Sequence, residues 1–218
     1  GLLARNILIK KKVKSKLISL NTNDCDKLLK IKNQKRIIKK KYCVFLDSAM
    51  TSYDHIDKYI FNEKDMAGQH KTYFQSLNNF FKIIEDKYKI KVVVSRHPKN
   101  KLNLKKFLKR RVYDYKSAEL VKDSEFVICH QSLSMNYAIL LCKPIFFIYT
   151  EQMLNRSTAT NKLVKLIKLY GSKLNQPVFN IDKKFELLNM RSLIIDRYKY
   201  TKYKKEYLSL NSEKNFYS

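Results

Sequence analysis

From Tyr42 onward the chain alternates between two textures. Short runs in which nearly every residue is apolar (YCVFLD, KVVVSR, EFVICH, PIFFIYT) are separated by longer stretches in which apolar residues recur every three or four positions. A run that is apolar throughout predicts a strand buried on both faces, as strands of parallel sheets are. Between Thr72 and Lys89, apolar residues at 73, 74, 77, 80, 81, 84 and 88 predict a helix with one buried stripe. RVYDY (111–115) predicts a short strand, SAELVKDS (117–124) a short helix, SLSMNYAILLC (132–142) a helix and PVFNID (177–182) a last short strand. Leu163, Leu166, Ile167 and Tyr170 share one helical face within residues 161–170, and Gly171 is expected to cap that helix.

Strands alternating with helices imply βαβ units joined by right-handed crossovers. The expected fold class is therefore α/β, a Rossmann-like parallel sheet with helices on both faces, spanning residues 42–182. Residues 48–70 read as a polar loop. Residues 1–41 read as a basic N-terminal segment, weakly packed, with one short strand and a helix or loop around patches such as Leu17–Leu20 and Ile37-Ile38. Residues 183–218 read as a basic, aromatic C-terminal helical tail containing RYKYTKYKKEY.

With 218 residues, 44% of them apolar, the chain can bury a sizeable core. Only 3 Gly and 3 Pro leave little room for flexible linkers. No apolar run approaches the roughly 20 residues that span a bilayer, and no signal-peptide pattern opens the sequence. Cys25, Cys43, Cys129 and Cys142 are widely spaced, and at least two fall inside apolar runs, so small core residues in a reducing cytoplasm are expected rather than disulfides or a zinc site.

Charge changes this picture. The formal net charge is +27, made up of +12 in residues 1–41, +7 in residues 42–150 and +8 in residues 151–218. Such a surplus favours polyanionic partners: nucleic acid, an anionic membrane face or phosphorylated substrates. The competing reading is a merely solvated surface rich in Lys. A dedicated nucleic-acid binder is disfavoured, because Lys far outnumbers Arg and no zinc-finger spacing, RNP motif or GXXG loop is present.

In open parallel sheets, ligands bind outside the carboxyl ends of the strands. Two polar clusters fall there. Arg96, His97, Pro98 and Lys99 follow KVVVS, and His130, Gln131, Ser132 and Ser134 follow FVIC. Hydroxyls and free N–H groups where a strand gives way to a helix suit a phosphate. Each piece also fits a duller role: Ser132 or Ser134 as a helix N-cap, His97 as a turn residue, His130 as a structural histidine, Asp47 as a loop cap.

YFQSLNNFFKIIEDKYKIKVVVSRHPK, followed by SAELVKDSEFVICHQSLSMNYAILLCKPIFFIYT, resembles the C-terminal, nucleotide-sugar-binding half of GT-B glycosyltransferases of bacterial surface-polysaccharide synthesis. The nearest group, which includes bacterial sialyltransferases and Kdo transferases, has a strand, then His-Pro, then a later Ser-x-Ser. The resemblance covers roughly residues 42–182. It implies that His97 contacts and protonates the leaving donor phosphate, that Ser132 and Ser134 hold it, and that base and ribose lie over RVYDYKSAE with Tyr113 and Glu119 as contacts. Gln131 departs from the family pattern, where a small or hydroxyl residue is expected. The family also has a second Rossmann domain that carries the acceptor site and usually the catalytic carboxylate, whereas about 41 residues precede the matching half here.

The expectation is thus the donor-binding half of a glycosyltransferase using a CMP- or UDP-linked sugar, with no cofactor or metal. Its expected partners are a glycan or lipid-linked acceptor, an anionic membrane surface, and a second Rossmann domain or a second copy of the chain. Its expected location is cytoplasmic and peripheral at the inner face of the plasma membrane. The alternatives are a basic nucleic-acid-binding protein and a non-catalytic nucleotide-binding module.

Overall fold

The computed structural model describes residues 21–48, 70–98, 104–155, 158–183 and 193–208. Six strands, β1 (Tyr42–Leu46), β2 (Lys91–Arg96), β3 (Val112–Asp114), β4 (Val127–Cys129), β5 (Ile145–Tyr149) and β6 (Val178–Asn180), form one sheet in the order β3-β2-β1-β4-β5-β6. Every pairing is parallel. This is the Rossmann-like α/β arrangement expected from the apolar runs. Seven α-helices accompany it among the described residues: α1 (Asn23–Ile31), α2 (His70–Tyr88), α3 (Ser117–Asp123), α4 (Met135–Leu140), α5 (Glu151–Asn155), α6 (Thr158–Leu174) and α7 (Arg197–Tyr203).

Successive strand residues point to opposite faces, and the phenylalanines of β5 show which helices cover each. Phe146 meets Tyr88 of α2 at 6.3 Å, and Phe147 stacks on Tyr170 of α6 at 6.4 Å. On the α2 side, Phe81 packs on Phe45, Phe80 on Phe179, and Phe126 stacks on Phe146 at 4.5 Å. All five residues of β1 are buried, as a central strand covered on both faces must be.

A buried polar contact ties α2 to the sheet. His130, fully buried just past β4, places Nδ1 at 2.7 Å from the Ile148 carbonyl and Nε2 at 2.8 Å from the Tyr73 hydroxyl. A carbonyl only accepts, so Nδ1 carries the proton and Nε2 accepts from tyrosine. Burial lowers the His130 pKa to about 4, so the imidazole is neutral.

The flanking segments belong to the same body. Tyr200 and Tyr203 of α7 are buried, Tyr200 donates to the Lys143 carbonyl at 3.0 Å, and Tyr203 packs on Tyr170. One wider turn then carries the chain to Leu208, whose carbonyl accepts the Thr22 N–H at 2.9 Å and joins the two flanks. The aromatic tail therefore lies on the α4 and α6 face. The N-terminal segment contributes α1, with Asp26 and Ile31 buried, so residues 21–31 are packed, while residues 32–41 are almost all exposed. The patch Leu17–Leu20 and most of the loop expected at 48–70 lie outside the described residues.

Gly171 is not a cap. It lies inside α6, where an added Cβ would stand 2.1 Å from Val178 Cγ2, so its role is close approach of helix to β6. The helix ends instead at Asn175, with φ 52, its N–H on the Ser172 carbonyl and the Gln176 N–H on the Gly171 carbonyl. With few glycines available, the chain also places Lys89 after α2 and Cys142 after α4 in the left-handed region.

Two predictions follow from these contacts. Gly171→Ala is expected to lower stability by about 1–3 kcal/mol, because a β-branched neighbour cannot yield. Cys142→Gly is expected to raise it by about 1 kcal/mol, since left-handed strain relieved exceeds the added chain entropy. Thermal melting of both variants checks this pair, and melting shifts of the same sign would refute it. For His130, the folded pKa lies below the unfolded value of 6.5. Its contribution is therefore complete above about pH 6.5 and fades as the pH falls towards 4, by about 3 kcal/mol. Urea unfolding at pH 7 and pH 4 should show the gap between wild type and His130→Gln narrowing by about that amount; a constant gap would mean the buried imidazole is not neutral.

Candidate functional site

An order of β3-β2-β1-β4-β5-β6 reverses direction between β1 and β4, which makes their carboxyl ends the flanks of a crevice. Register places Leu46 of β1 opposite both Ser95 of β2 and Cys129 of β4. The segments starting at Asp47, Arg96 and His130 therefore leave the sheet at one level. Neighbouring strands lie about 4.8 Å apart, so β2 and β4 end about 10 Å from each other with β1 between them.

Asp47 organises the first wall. It is buried, donates its N–H to the Ser95 carbonyl at 3.0 Å and accepts the His97 N–H on Oδ2 at 3.2 Å. The carboxylate thereby fixes the backbone of the His-Pro turn, leaving the half-exposed His97 ring at the mouth and Pro98 exposed. Lys99 lies outside the described residues. Arg96 is committed sideways: its guanidinium forks onto Asp114 at 2.6 Å for both contacts, which raises its pKa further above the usual arginine value.

The second wall follows β4. His130 is buried and spends both ring nitrogens on Tyr73 and Ile148, so it positions the segment and presents no free nitrogen to a ligand. Gln131, Ser132 and Ser134 are half-exposed, and Leu133 between the serines is 80% exposed. Ser134 precedes α4 without a side-chain cap bond, and Ser132 Oγ accepts the Ser134 N–H at 3.3 Å. The plain capping role is thus not taken up by the Ser134 hydroxyl.

A third group comes from β3 and α3. Ser95 and Ser117 pair their hydroxyls at 2.8 Å. Tyr113 is half-buried against the core, while Tyr115, which the sequence reading passed over, is 74% exposed at this edge. Glu119 is buried; its Oε1 meets Lys27 at 3.5 Å and Lys116 at 3.4 Å, and its Oε2 has no hydrogen-bond partner. Ser48 Oγ, on the segment leaving β1, is likewise buried and unpartnered. Burying an oxygen without a partner costs about 1–3 kcal/mol.

Lys27 also escaped the sequence reading, as did Asp24, whose Oδ2 accepts from Asn136 at 2.8 Å. Both sit on α1, so the N-terminal segment borders the site. Asp24 and Asp26 form an Asp-x-Asp triplet, but residues two apart on a helix diverge, and Asp26 is buried. Among the described residues, no three His, Cys, Asp or Glu side chains gather as a metal site.

The polar groups at this edge can hold an anion and a hydroxylated ring between two walls, with the half-exposed His97 able to give or take a proton there. Compared with known proteins, the chain matches no protein-family model, no curated protein and no solved structure.

Proposed function

We propose that this carboxyl-edge crevice binds the phosphate of a nucleotide sugar and that the protein is the donor-binding half of a glycosyltransferase. The observation that carries the reading is convergence. His97, held by Asp47 after β2, and the Ser132 and Ser134 hydroxyls after β4 leave the sheet at one level on the two strands that flank β1.

In the proposed reaction an acceptor hydroxyl attacks the anomeric carbon and the bond from that carbon to the donor phosphate oxygen breaks. His97, as imidazolium, gives its proton to that oxygen, and the serine hydroxyls donate hydrogen bonds to the phosphate as its charge grows. The acceptor hydroxyl must lose its proton to a base. Three carboxylates at this edge are already engaged: Asp47 with the His97 N–H, Asp114 with Arg96, and Glu119 with two lysines. The reading therefore assigns deprotonation to a group supplied from elsewhere. The donor sugar, CMP- or UDP-linked on the resemblance, is part of the same proposal.

Calorimetric titration with CMP, UDP and GDP is expected to show one of them binding. His97→Ala and the Ser132→Ala/Ser134→Ala pair should each weaken it roughly ten- to a hundredfold, the worth of a charge-assisted hydrogen bond to phosphate, with melting temperatures unchanged. No binding by any of the three, or unchanged affinity in both variants, would remove these residues from a nucleotide site. With a panel of nucleotide sugars and a crude lipid or oligosaccharide acceptor, the 218-residue chain alone is expected to bind without transferring. Turnover would place the base within the chain and overturn that assignment.

A further inference from the structure

The opposite edge of the sheet has a different chemistry. Where β1, β2 and β3 begin, a cleft of about 1020 Å³ opens between residues 37–42 and residues 108–111. Its apolar surface includes Ile37, 40% exposed, the half-buried Ile38, and Leu108, 64% exposed. Six exposed cations surround these: Lys39, Lys40, Lys41, Lys91, Lys109 and Arg111. None of them has an ion-pair partner among the described residues. The one carboxylate lining the cleft, Glu85, is spent on Arg110 at 2.8 Å and on the Val92 N–H at 3.0 Å. Arg110 is further fixed by Asn78 and by the Phe81 ring, so it braces the cleft wall.

Leu108 stands out. It has φ 55, a conformation in which a branched apolar residue is strained and Asn or Gly is at ease. Neither backbone preference nor burial accounts for a leucine there. An exposed aliphatic pair inside a ring of lysines is the pattern of a surface that enters the headgroup region of an anionic bilayer. Nucleic acid is the less suited polyanion, since single strands stack on exposed aromatic rings and, among the described residues lining this cleft, the only aromatic one, Tyr42, is buried. Residues 1–20 are also ill suited as a cover, because they carry six Lys/Arg and no acid.

We infer that the amino edge of the sheet is a docking surface for an anionic lipid bilayer, with Leu108 and Ile37 inserting and Lys39, Lys40, Lys41, Lys109 and Arg111 meeting lipid phosphates. The inference is independent of the nucleotide site, and its test involves no nucleotide. Sedimentation is measured with vesicles of phosphatidylcholine alone and of phosphatidylcholine mixed with phosphatidylglycerol. The intact chain is expected in the pellet with the anionic vesicles only. Replacing Lys39, Lys40 and Lys109 together by Gln should lower the partition coefficient about a hundredfold, at the worth of a basic residue near such a surface. The same change at Lys162, Lys165 and Lys202, exposed on α6 and α7, should lower it much less. Leu108→Asn should lower binding about tenfold while raising the melting temperature, which separates docking from folding. Equal losses in the two lysine triples would reduce the effect to diffuse charge and overturn the inference. So would unchanged binding by Leu108→Asn, or a short DNA duplex that displaces the vesicles and loses affinity in the first triple alone.

Discussion

Parallel pairing governs this molecule. It sends every strand in one direction, so all six carboxyl ends lie on one edge and all six amino ends on the other. It also requires a crossover after each strand, and these crossovers cover both faces with helices. The sheet interior is left with no solvent contact: Cys43, Val44, Phe45, Ile128, Cys129 and Phe146 have no exposed surface. Polar chemistry can then appear only where chain leaves or enters the sheet. The two edges are the natural places for function, and here they differ in kind. One carries a sparse set of hydroxyls, a histidine and engaged carboxylates. The other carries unpaired lysines around exposed aliphatic side chains.

The same constraint explains what the sequence disclosed. A strand buried on both faces has no alternation, so YCVFL and IFFIY stood out against the three-to-four periodicity of α2, and the βαβ order followed. Positions at strand ends could also be read, because the apolar run stops there. Partners could not. Arg96 and Asp114 are 18 residues apart and meet because register sets them side by side on β2 and β3. His130 closes an apolar run in the same way as an exposed loop residue would, and only the packing of Tyr73 against it reveals a buried pin. Gly171 carried a plausible cap signal, whereas its function depends on Val178, a strand away. α1 lacks a continuous apolar stripe because its inner side is partly ionic, with Lys27 on Glu119, and so looked loosely attached.

Electrostatics distinguishes the edges more sharply than charge counts do. The carboxyl edge has cations, but Arg96, Lys27 and Lys116 each face a carboxylate within 4 Å. Such pairs, partly exposed, stabilise little, yet they fix geometry and leave a modest net field. At the amino edge Arg110 is paired with Glu85, but Lys39, Lys40, Lys41, Lys91, Lys109 and Arg111 have no such partner among the described residues, so their repulsion is relieved by counter-ions or by an anionic surface. Among the described residues the two edges thus hold two kinds of cation: ones that fix the shape of a site and ones that remain available.

The separation of the edges has a geometric consequence for a protein that works at both. β1 spans five residues, about 17 Å at about 3.3 Å per residue. With the amino edge on a bilayer and the strands standing near its normal, the crevice between β1 and β4 opens into water about that far from the headgroups. A soluble nucleotide sugar enters such a crevice unhindered. An acceptor sugar attached directly to a lipid headgroup lies too low to reach it, whereas the free end of a longer glycan chain rises to the same height. Under the joint reading of the two edges, the acceptor class that fits is therefore an extended saccharide rather than a lipid-proximal sugar.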